Sequence, residues 1–376
     1  MQINPHAKAQ RCKVTFLFAP QGEWPLVKRG LPGPLRLCVN LLFISLLTAC
    51  SQPQKLYQDQ FLAFGTVISL STWGASEAQN SEASRLIRED FARMHDTWHA
   101  WKKGGLLGEI NQNIAMGKAT TLSAEAAALL QQTATLSRQS NHRFNPAIGK
   151  LIALWGFHSE AWTGPPPLQS EIDSLLQSNP TLESLIFENG TLRSSSPDVK
   201  IDLGGIAKGY AVDRAIEQLK QLGIEHAIVN TGGDLRAIGS RGARHWNIGI
   251  RAPDGGEPVA SIQPQGDESI FTSGDYERMF EYEGTRYHHI IDPKRGWPAS
   301  GTRSVTVIHS SATVADAAAT ALLVAPPEER ATIAQQMGIE QLLIIDAAGI
   351  YHISDAMRSR ITFLQHPPQI EKVILE

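Results

Sequence analysis

Residues 200–219, KIDLGGIAKGYAVDRAIEQL, read as a short apolar strand, a glycine pair and an amphipathic helix that begins where the glycines end. A helix starting near Ile206 leaves its first backbone N–H groups without intrahelical partners, and here they point into the glycine turn. Such an end is a natural seat for an anion such as a diphosphate. Gly204 and Gly205 let a ligand approach the backbone, and Lys208 adds a positive charge in the first turn. Asp202, at the end of the strand, is placed to accept from a ligand hydroxyl or ring N–H. On its own such a glycine pair is more often a tight turn than a phosphate seat.

Three other stretches bear on that choice. IVNTGGDLRAIG (228–239) sets a second pair, Gly232 and Gly233, between two strands, which is either a second close approach of backbone to ligand or a bulged hairpin. SSATVADAAATALLV (310–324) predicts an alanine-rich helix capped near Ser311 or Thr313. Asp316 and Thr320 lie four apart on one face of it, a hard-oxygen pair suited to Mg2+ or else a surface pair. RYHHIIDPKRGWPASG (286–301) puts His288 and His289 on a strand before an Asp-Pro turn. Adjacent strand residues point to opposite faces, so at most one of them serves a given site as a base, the other packing away.

The chain has 376 residues, 42% hydrophobic and 19% charged, enough for one large domain or two ordinary ones. A net charge of −3 and the lack of any Lys/Arg run with interleaved aromatics argue against a nucleic-acid partner. The three cysteines are Cys12, Cys38 and Cys50, so nothing beyond residue 50 supplies a thiol nucleophile, thiolate metal site or disulfide. LRLCVNLLFISLLTAC (35–50) combines Arg29 and Arg36 on its amino side with an apolar run from Leu37 to Leu47, too short for a permanent span and fitting a secretory signal. Its end, Leu47-Thr48-Ala49-Cys50, resembles a bacterial lipobox, which makes Cys50 the expected lipidation site and residues 51–60, SQPQKLYQDQ, a polar tether. Residues 1–34 are an unusually long lead for such a signal, and a translation start near Val27 or Leu35 is expected.

From residue 61 the pattern is that of a mixed α/β (α+β) domain running to 376. FLAFGTVISLSTWG (61–74) alternates as a strand. SEASRLIREDFARMHDTWHAWKK (81–103) carries Leu86, Ile87, Phe91, Met94 and Trp98 at helical spacing, with Ser81 or Ser84 near its start. Ser123 and Ser170 precede further helices, and Asn189-Gly190 marks a tight hairpin. The later runs VKIDL, HAIVNTGG, WNIGIRA, SIFTSG, RYHHIID and SVTVIHS are β-rich and glycine-punctuated, interrupted by helices after Gly205 and Thr313.

Taken in order, FGT (64–66), FNPAIGKLIALWGF (144–157), IDLGGIAKGYAVD, VNTGGDL, FTSGDYER (271–278), HHIIDPKRGWP and TVADAAATAL resemble the FAD:protein FMN transferases (ApbE type), over about residues 61–325. That resemblance implies a T-fold-like α/β domain with a smaller α/β insertion. It also implies a reaction in which FAD is split at its diphosphate, FMN passes to a threonine hydroxyl of a partner flavoprotein and AMP leaves; some relatives hydrolyse FAD to FMN and AMP instead. Mg2+ is the implied cofactor. By motif, Asp316 and Thr320 are the implied metal ligands, completed by oxygens near Thr313 and from the Gly205–Ala207 turn. Phe64, Phe144, Asn145, Asp202, Lys208, Gly232, Gly233 and His289 are the implied FAD contacts. His289 is the implied base for the acceptor threonine and Asp316 the second catalytic residue. Phe64 stands where the family commonly has methionine, and Asn145 where many members have aspartate. The expected protein is lipid-anchored on the periplasmic side of a membrane; an FAD pyrophosphatase and a non-catalytic FAD-binding lipoprotein are the alternatives.

Overall fold

The stretch from Leu56 to Trp73 is two strands rather than one. β1 (Leu56–Ala63) turns at Phe64-Gly65 and returns as β2 (Thr66–Trp73), with Ala63 opposite Thr66. Two-residue hairpin loops favour positive φ at both central positions, and Phe64 and Gly65 adopt φ of 51° and 72°. The alternation of the sequence is real, but it runs through a reversal. The computed structural model describes residues 55–376 except 103, 160–163, 368, 374 and 376; the signal segment and Cys50 lie outside the described residues. Because β1 starts at Leu56, residues 56–60 belong to the sheet and not to the expected tether. Leu56 pairs with Trp73, and the Tyr57 hydroxyl lies 3.0 Å from Ser84 Oγ.

β1 and β2 form one edge of a nine-stranded sheet in the order β1-β2-β6-β7-β10-β13-β14-β15-β17. The inner strands are β6 (Ala227–Thr231), β7 (Asp234–Ile238), β10 (Glu268–Gly274), β13 (Thr302–His309), β14 (Gln341–Asp346) and β15 (Tyr351–Ser354), closed by β17 (Ile370–Val373). Every neighbour pair is antiparallel except β15 with β17. Small sheets flank it: β3 (Thr120–Thr121), β5 (Thr191–Ser194) and β4 (Leu185–Glu188); β16 (Ile361–Phe363), β9 (Ala260–Ile262) and β8 (Ile248–Ile250); and the hairpin β11 (Met279–Tyr282) with β12 (Thr285–His288).

Both faces of the central strands are buried, as their apolar runs require. Val305, Val307, Leu342 and Ile344 join the core under the helices, whereas Ile308, Leu343 and Ile345 join the opposite core against the β16-β9-β8 sheet. The helices are α1 (Glu77–Trp98), α2 (Leu106–Ala115), α3 (Ala124–Gln139), α4 (Gly149–Leu154), α5 (Gln169–Gln177), α6 (Ala207–Gln221), α7 (Ala312–Val324), α8 (Pro327–Gln336) and α9 (Asp355–Arg358). α1 begins one turn earlier than Ser81, because Ser76 and Gln79 form a capping box. Ser84, one of the expected start signals, is a buried partner of Tyr57. Ser123 and Ser311 cap their helices as expected, while α5 starts at Gln169 without a side-chain cap bond. α7 is apolar almost all round and lies buried between α6 and the sheet, where alanines allow close approach. A third core joins α4, α5 and the β11–β12 hairpin through Trp155, Phe157, Phe280 and Tyr287.

Candidate active site

The segment Val199–Leu203 is extended but is not a sheet strand; apart from one bridge from Lys200 to Ile148, its partners come from side chains and loops. Asn111 takes the place of a neighbouring strand, donating from Nδ2 to the Ile201 carbonyl (2.8 Å) and accepting from the Ile201 N–H (2.6 Å). The Asp202 N–H donates to the Pro146 carbonyl at 2.8 Å. That arrangement presents the Asp202 carboxylate at the mouth of the glycine turn, where it accepts from the Gly204 N–H and from Trp101 Nε1, both at 2.8 Å. Trp101 is in turn held between Lys200 Nζ, 3.7 Å from its ring centroid, and the His158 ring at 5.1 Å.

Helix α6 starts at Ala207 with Ile206 as N-cap and no capping side chain, as the glycine-opened pattern predicts. A methyl group added at Gly205 would lie 3.3 Å from the Phe144 ring and 3.5 Å from Thr320 Oγ1, so these two side chains form the wall of the turn. Deeper in, Gly209 marks the crossing of α6 and α7. Its N–H donates to Asp316 Oδ2 at 2.9 Å, and a Cβ there would sit 2.3 Å from the Ala312 carbonyl oxygen. Asp316 Oδ1 has no hydrogen-bond partner among the described residues, and the Thr320 hydroxyl lies 3.2 Å from Ser273 Oγ.

The second glycine turn closes onto the same place. Gly232 (φ 72°) packs so tightly on the FGT hairpin that a Cβ would come within 2.3 Å of Thr66 Oγ1, and the Gly233 N–H donates to Asn230 Oδ1 at 2.8 Å. The next residue, Asp234, pairs with Lys208 and accepts from the Thr272 N–H at 2.9 Å. Lys208 is thus paired with Asp234, and its charge also acts on the nearby Asp316 carboxylate without contacting it. Burial pushes the Asp316 carboxyl up to about 7, Lys208 opposing and Asp234 and Asp213 adding to the rise. Burial also works against the Lys208 charge, but Asp234 and Asp316 outweigh it and hold the ammonium above its usual range.

The two histidines take different partners. β12 ends at His288, which is buried, with Nε2 2.7 Å from the Ala299 carbonyl and Nδ1 accepting from the Ile290 N–H. His289 follows the strand, its N–H and its Nδ1 both directed to the Arg278 carbonyl at 2.9 and 3.2 Å. That assigns the proton to Nδ1 and leaves Nε2 as an acceptor with no partner among the described residues. Burial, with Arg278, His288 and Lys208 nearby, pulls His289 down to about 3, so its ring is neutral around pH 7.

Thr313 lies at the joint between α6 and α7. Its hydroxyl and N–H both donate to Asp213, at 2.7 and 2.9 Å, and the same carboxylate accepts from Ser311 Oγ and the Ala312 N–H. Asp213 sits on α6, so α6 caps the N-terminus of α7, and the Thr313 hydroxyl gives its proton to that joint while keeping its lone pairs. Asp316 Oδ1, the Thr320 hydroxyl and the backbone oxygens of the Gly205–Ala207 turn are hard oxygen donors of the kind Mg2+ takes, and they would be the groups to hold such a cation. Among the described residues no three His, Cys, Asp or Glu side chains gather as a cation cage. Asp234, Asp213, Ser273 and Trp101 are site residues that spacing alone did not single out. Only Asp234 carried a signal, by directly following the second glycine pair.

Phe64 lies on the β1–β2 hairpin with its ring 5.7 Å from Phe91 and 5.8 Å from His95. A bulky residue at positive φ is strained, and such strain concentrates at working sites. Asn145 uses both ends of its amide, donating to the Pro180 carbonyl (2.9 Å) and accepting from the Ala147 N–H (3.0 Å). Asn145→Asp would replace the donor by an oxygen facing a carbonyl. The expected outcome is a loss of about 1–2 kcal/mol in denaturant unfolding with flavin transfer little changed, since the amide serves the loop and not the Lys208–Asp316 cluster.

The sequence pattern of the ApbE family matches residues 64–343. The chain belongs to the ApbE family. It is 36% identical over 329 residues to the FAD:protein FMN transferase of Rhodobacter capsulatus, covering 87% of this chain and 62% of that protein's length. The FAD:protein FMN transferase of Vibrio cholerae is 30% identical over 315 residues, 82% of this chain and 92% of its own. The crystal structure of the ApbE protein of Thermotoga maritima superposes with a TM-score of 0.75 at 30% identity, covering 83% of this chain and all of its own. This ApbE-family chain thus has the mixed α/β architecture of its relatives, and its motifs meet around the Gly205 turn.

Proposed function

We propose that this ApbE-family chain is a Mg2+-dependent FAD:protein FMN transferase that places FMN on a threonine hydroxyl of a partner flavoprotein. The observation that carries the reading is the convergence of Asp316, Thr320, Lys208 and Asp234 on one glycine-opened helix terminus, in a chain of this family.

The α6 terminus and Lys208 are suited to bind the FAD diphosphate, while Phe64, Phe144 and Trp101 line the approach. Asp316 and Thr320 would hold Mg2+, which neutralises charge on the phosphoryl oxygens and the leaving AMP. His289 Nε2 takes the proton of the acceptor threonine as its Oγ bonds to the FMN phosphorus and the bridging P–O bond to AMP breaks. The negative charge of bound diphosphate beside Lys208 shifts His289 back toward a useful basicity. Replacing His289 by Ala is expected to lower transfer roughly 10²- to 10⁴-fold. In the parent, kcat/KM at saturating Mg2+ should show no inflection near pH 6.5, because the free-enzyme histidine is already neutral there; a clear inflection would reject the assignment.

The Cys50 lipobox supports a lipid-anchored protein working on the periplasmic side. The decisive assay incubates the full chain in detergent with FAD, Mg2+ and a domain carrying a candidate acceptor threonine, following AMP by chromatography and the acceptor by intact mass. An acceptor mass gain of one FMN moiety, absent with chelator and with Asp316→Ala, supports the transferase. AMP with free FMN and no labelling points to a pyrophosphatase, and bound FAD without AMP to a binding protein.

A further inference from the structure

Beyond the flavin site, α7 runs from Asp316 and Thr320 to Val324, and Val324 and Ala325 line a separate cavity of about 370 Å³. Its charged wall comprises Arg143, Lys294, Arg295, Arg330, Asp292 and Asp346. No residue of this wall belongs to the flavin site, although Arg143 directly precedes Phe144 and Asp292 follows His289 by three.

The cations of this wall are not equally compensated. Arg143 is matched by Asp292 and Glu329, at 3.2 and 2.7 Å, and Lys294 reaches Glu329 at 3.4 Å. Asp346 is engaged by His352 and by the Ala348 and Ile350 N–H groups. Arg330 and Arg295 have no carboxylate within ion-pair distance among the described residues. Arg330 is only 7% exposed, and it donates to the Ala325 carbonyl (3.1 Å) and Thr302 Oγ1 (2.7 Å), while Nη1 has no partner among the described residues. Arg295, exposed at the rim, donates to Ser300 Oγ at 3.3 Å. A buried guanidinium with no carboxylate in contact is costly: burial pulls Arg330 below its ordinary value, and the more distant charges of Asp346 and Glu328 offset this only in part. The helix that begins here opens with Pro326-Pro327, which offer no N–H to an anion, so the guanidiniums are the available donors.

We propose that this cavity is a binding site for a small phosphate-type oxyanion, gripped by Arg330 from inside and Arg295 from the rim. Guanidinium forks match the geometry of tetrahedral oxyanions, and the volume exceeds what a bare ion needs, leaving room for an organic substituent. The phosphate could arrive as the free ion or as the monoester of a lipid headgroup, and the two are separable.

Calorimetric titration of the full chain in detergent, at constant ionic strength in chloride, would use inorganic phosphate in one arm and glycerol 3-phosphate in the other. Saturable binding of either is expected, with the tighter arm naming the source. Arg295→Ala, whose exposed side chain carries no fold contact of note, should weaken it about tenfold or more while leaving FMN transfer unchanged. Arg330→Lys should weaken it as well, and Lys208→Ala, at the flavin site, should not. The proposal is overturned by phosphate heat that vanishes in Lys208→Ala yet persists in Arg295→Ala, or by the absence of saturation at millimolar concentrations.

Discussion

Asp316→Asn is expected to lower FMN transfer roughly a thousandfold while leaving the protein at least as stable as the parent at pH 8 without Mg2+. The amide keeps the shape of the side chain and an oxygen to accept from the Gly209 N–H. It lacks the charge and the second oxygen needed for a cation, and it leaves Lys208 and Asp234 as a one-to-one pair. The stability half follows from linkage. Asp316 has a folded-state pKa of about 7 against an ordinary value of 3.8, so the native protein binds a proton that the unfolded chain has released. Its contribution is present in full below pH 3.8 and is lost as pH rises through 7; a bound cation restores it by compensating the carboxylate. Mg2+ should therefore raise the Tm of the parent more at pH 8 than at pH 5.5 and should not raise that of Asp316→Asn. Intact-mass transfer assays and thermal melts at the two pH values test both halves. A variant that still transfers FMN, or a Mg2+ shift independent of pH, would remove Asp316 from the metal site.

Gly209→Ala is expected to be nearly as damaging, for a steric reason. The added methyl would lie 2.3 Å from the Ala312 carbonyl oxygen and 2.9 Å from the Asp316 Cβ, distances that real Cβ atoms do not occupy. Relief requires α6 and α7 to part, but Asp213, one turn further along α6, pins the first turn of α7 through Ser311, Ala312 and Thr313. The two restraints oppose each other across a helix with no free face. A destabilisation of about 3 kcal/mol is expected, lowering Tm by roughly 5 °C or more. Transfer should fall too, since the Gly209 N–H to Asp316 bond cannot survive the separation. Thermal unfolding alongside the transfer assay reads both, and a Gly209→Ala protein with parental Tm would show that the helices are free to slide.

Much of this site is legible without coordinates wherever the relevant geometry is local. Asp316 and Thr320 share a face because a helix repeats every 3.6 residues; His288 and His289 do take different partners, although the strand ends at His288. The Ser123 and Ser311 caps, the Asn189-Gly190 hairpin and the glycine-opened start of α6 follow from backbone torsions that each residue imposes on its own neighbourhood. The local patterns misled where two answers share one pattern. Alternation through Phe64-Gly65 is the same for one strand as for a hairpin, and VKIDL has the composition of a strand although Asn111, some 90 residues away, supplies its pairing. Only the tertiary structure decided that Asp234 neutralises Lys208, that Asp213 caps α7 and occupies the Thr313 hydroxyl, and that Gly209 touches Ala312. Those contacts join residues 26 to 103 positions apart, and nothing in either partner's own neighbourhood encodes the other. The last two arise when an alanine-rich helix, apolar almost all round, is buried against the sheet and forces the few polar groups on its surface to find partners.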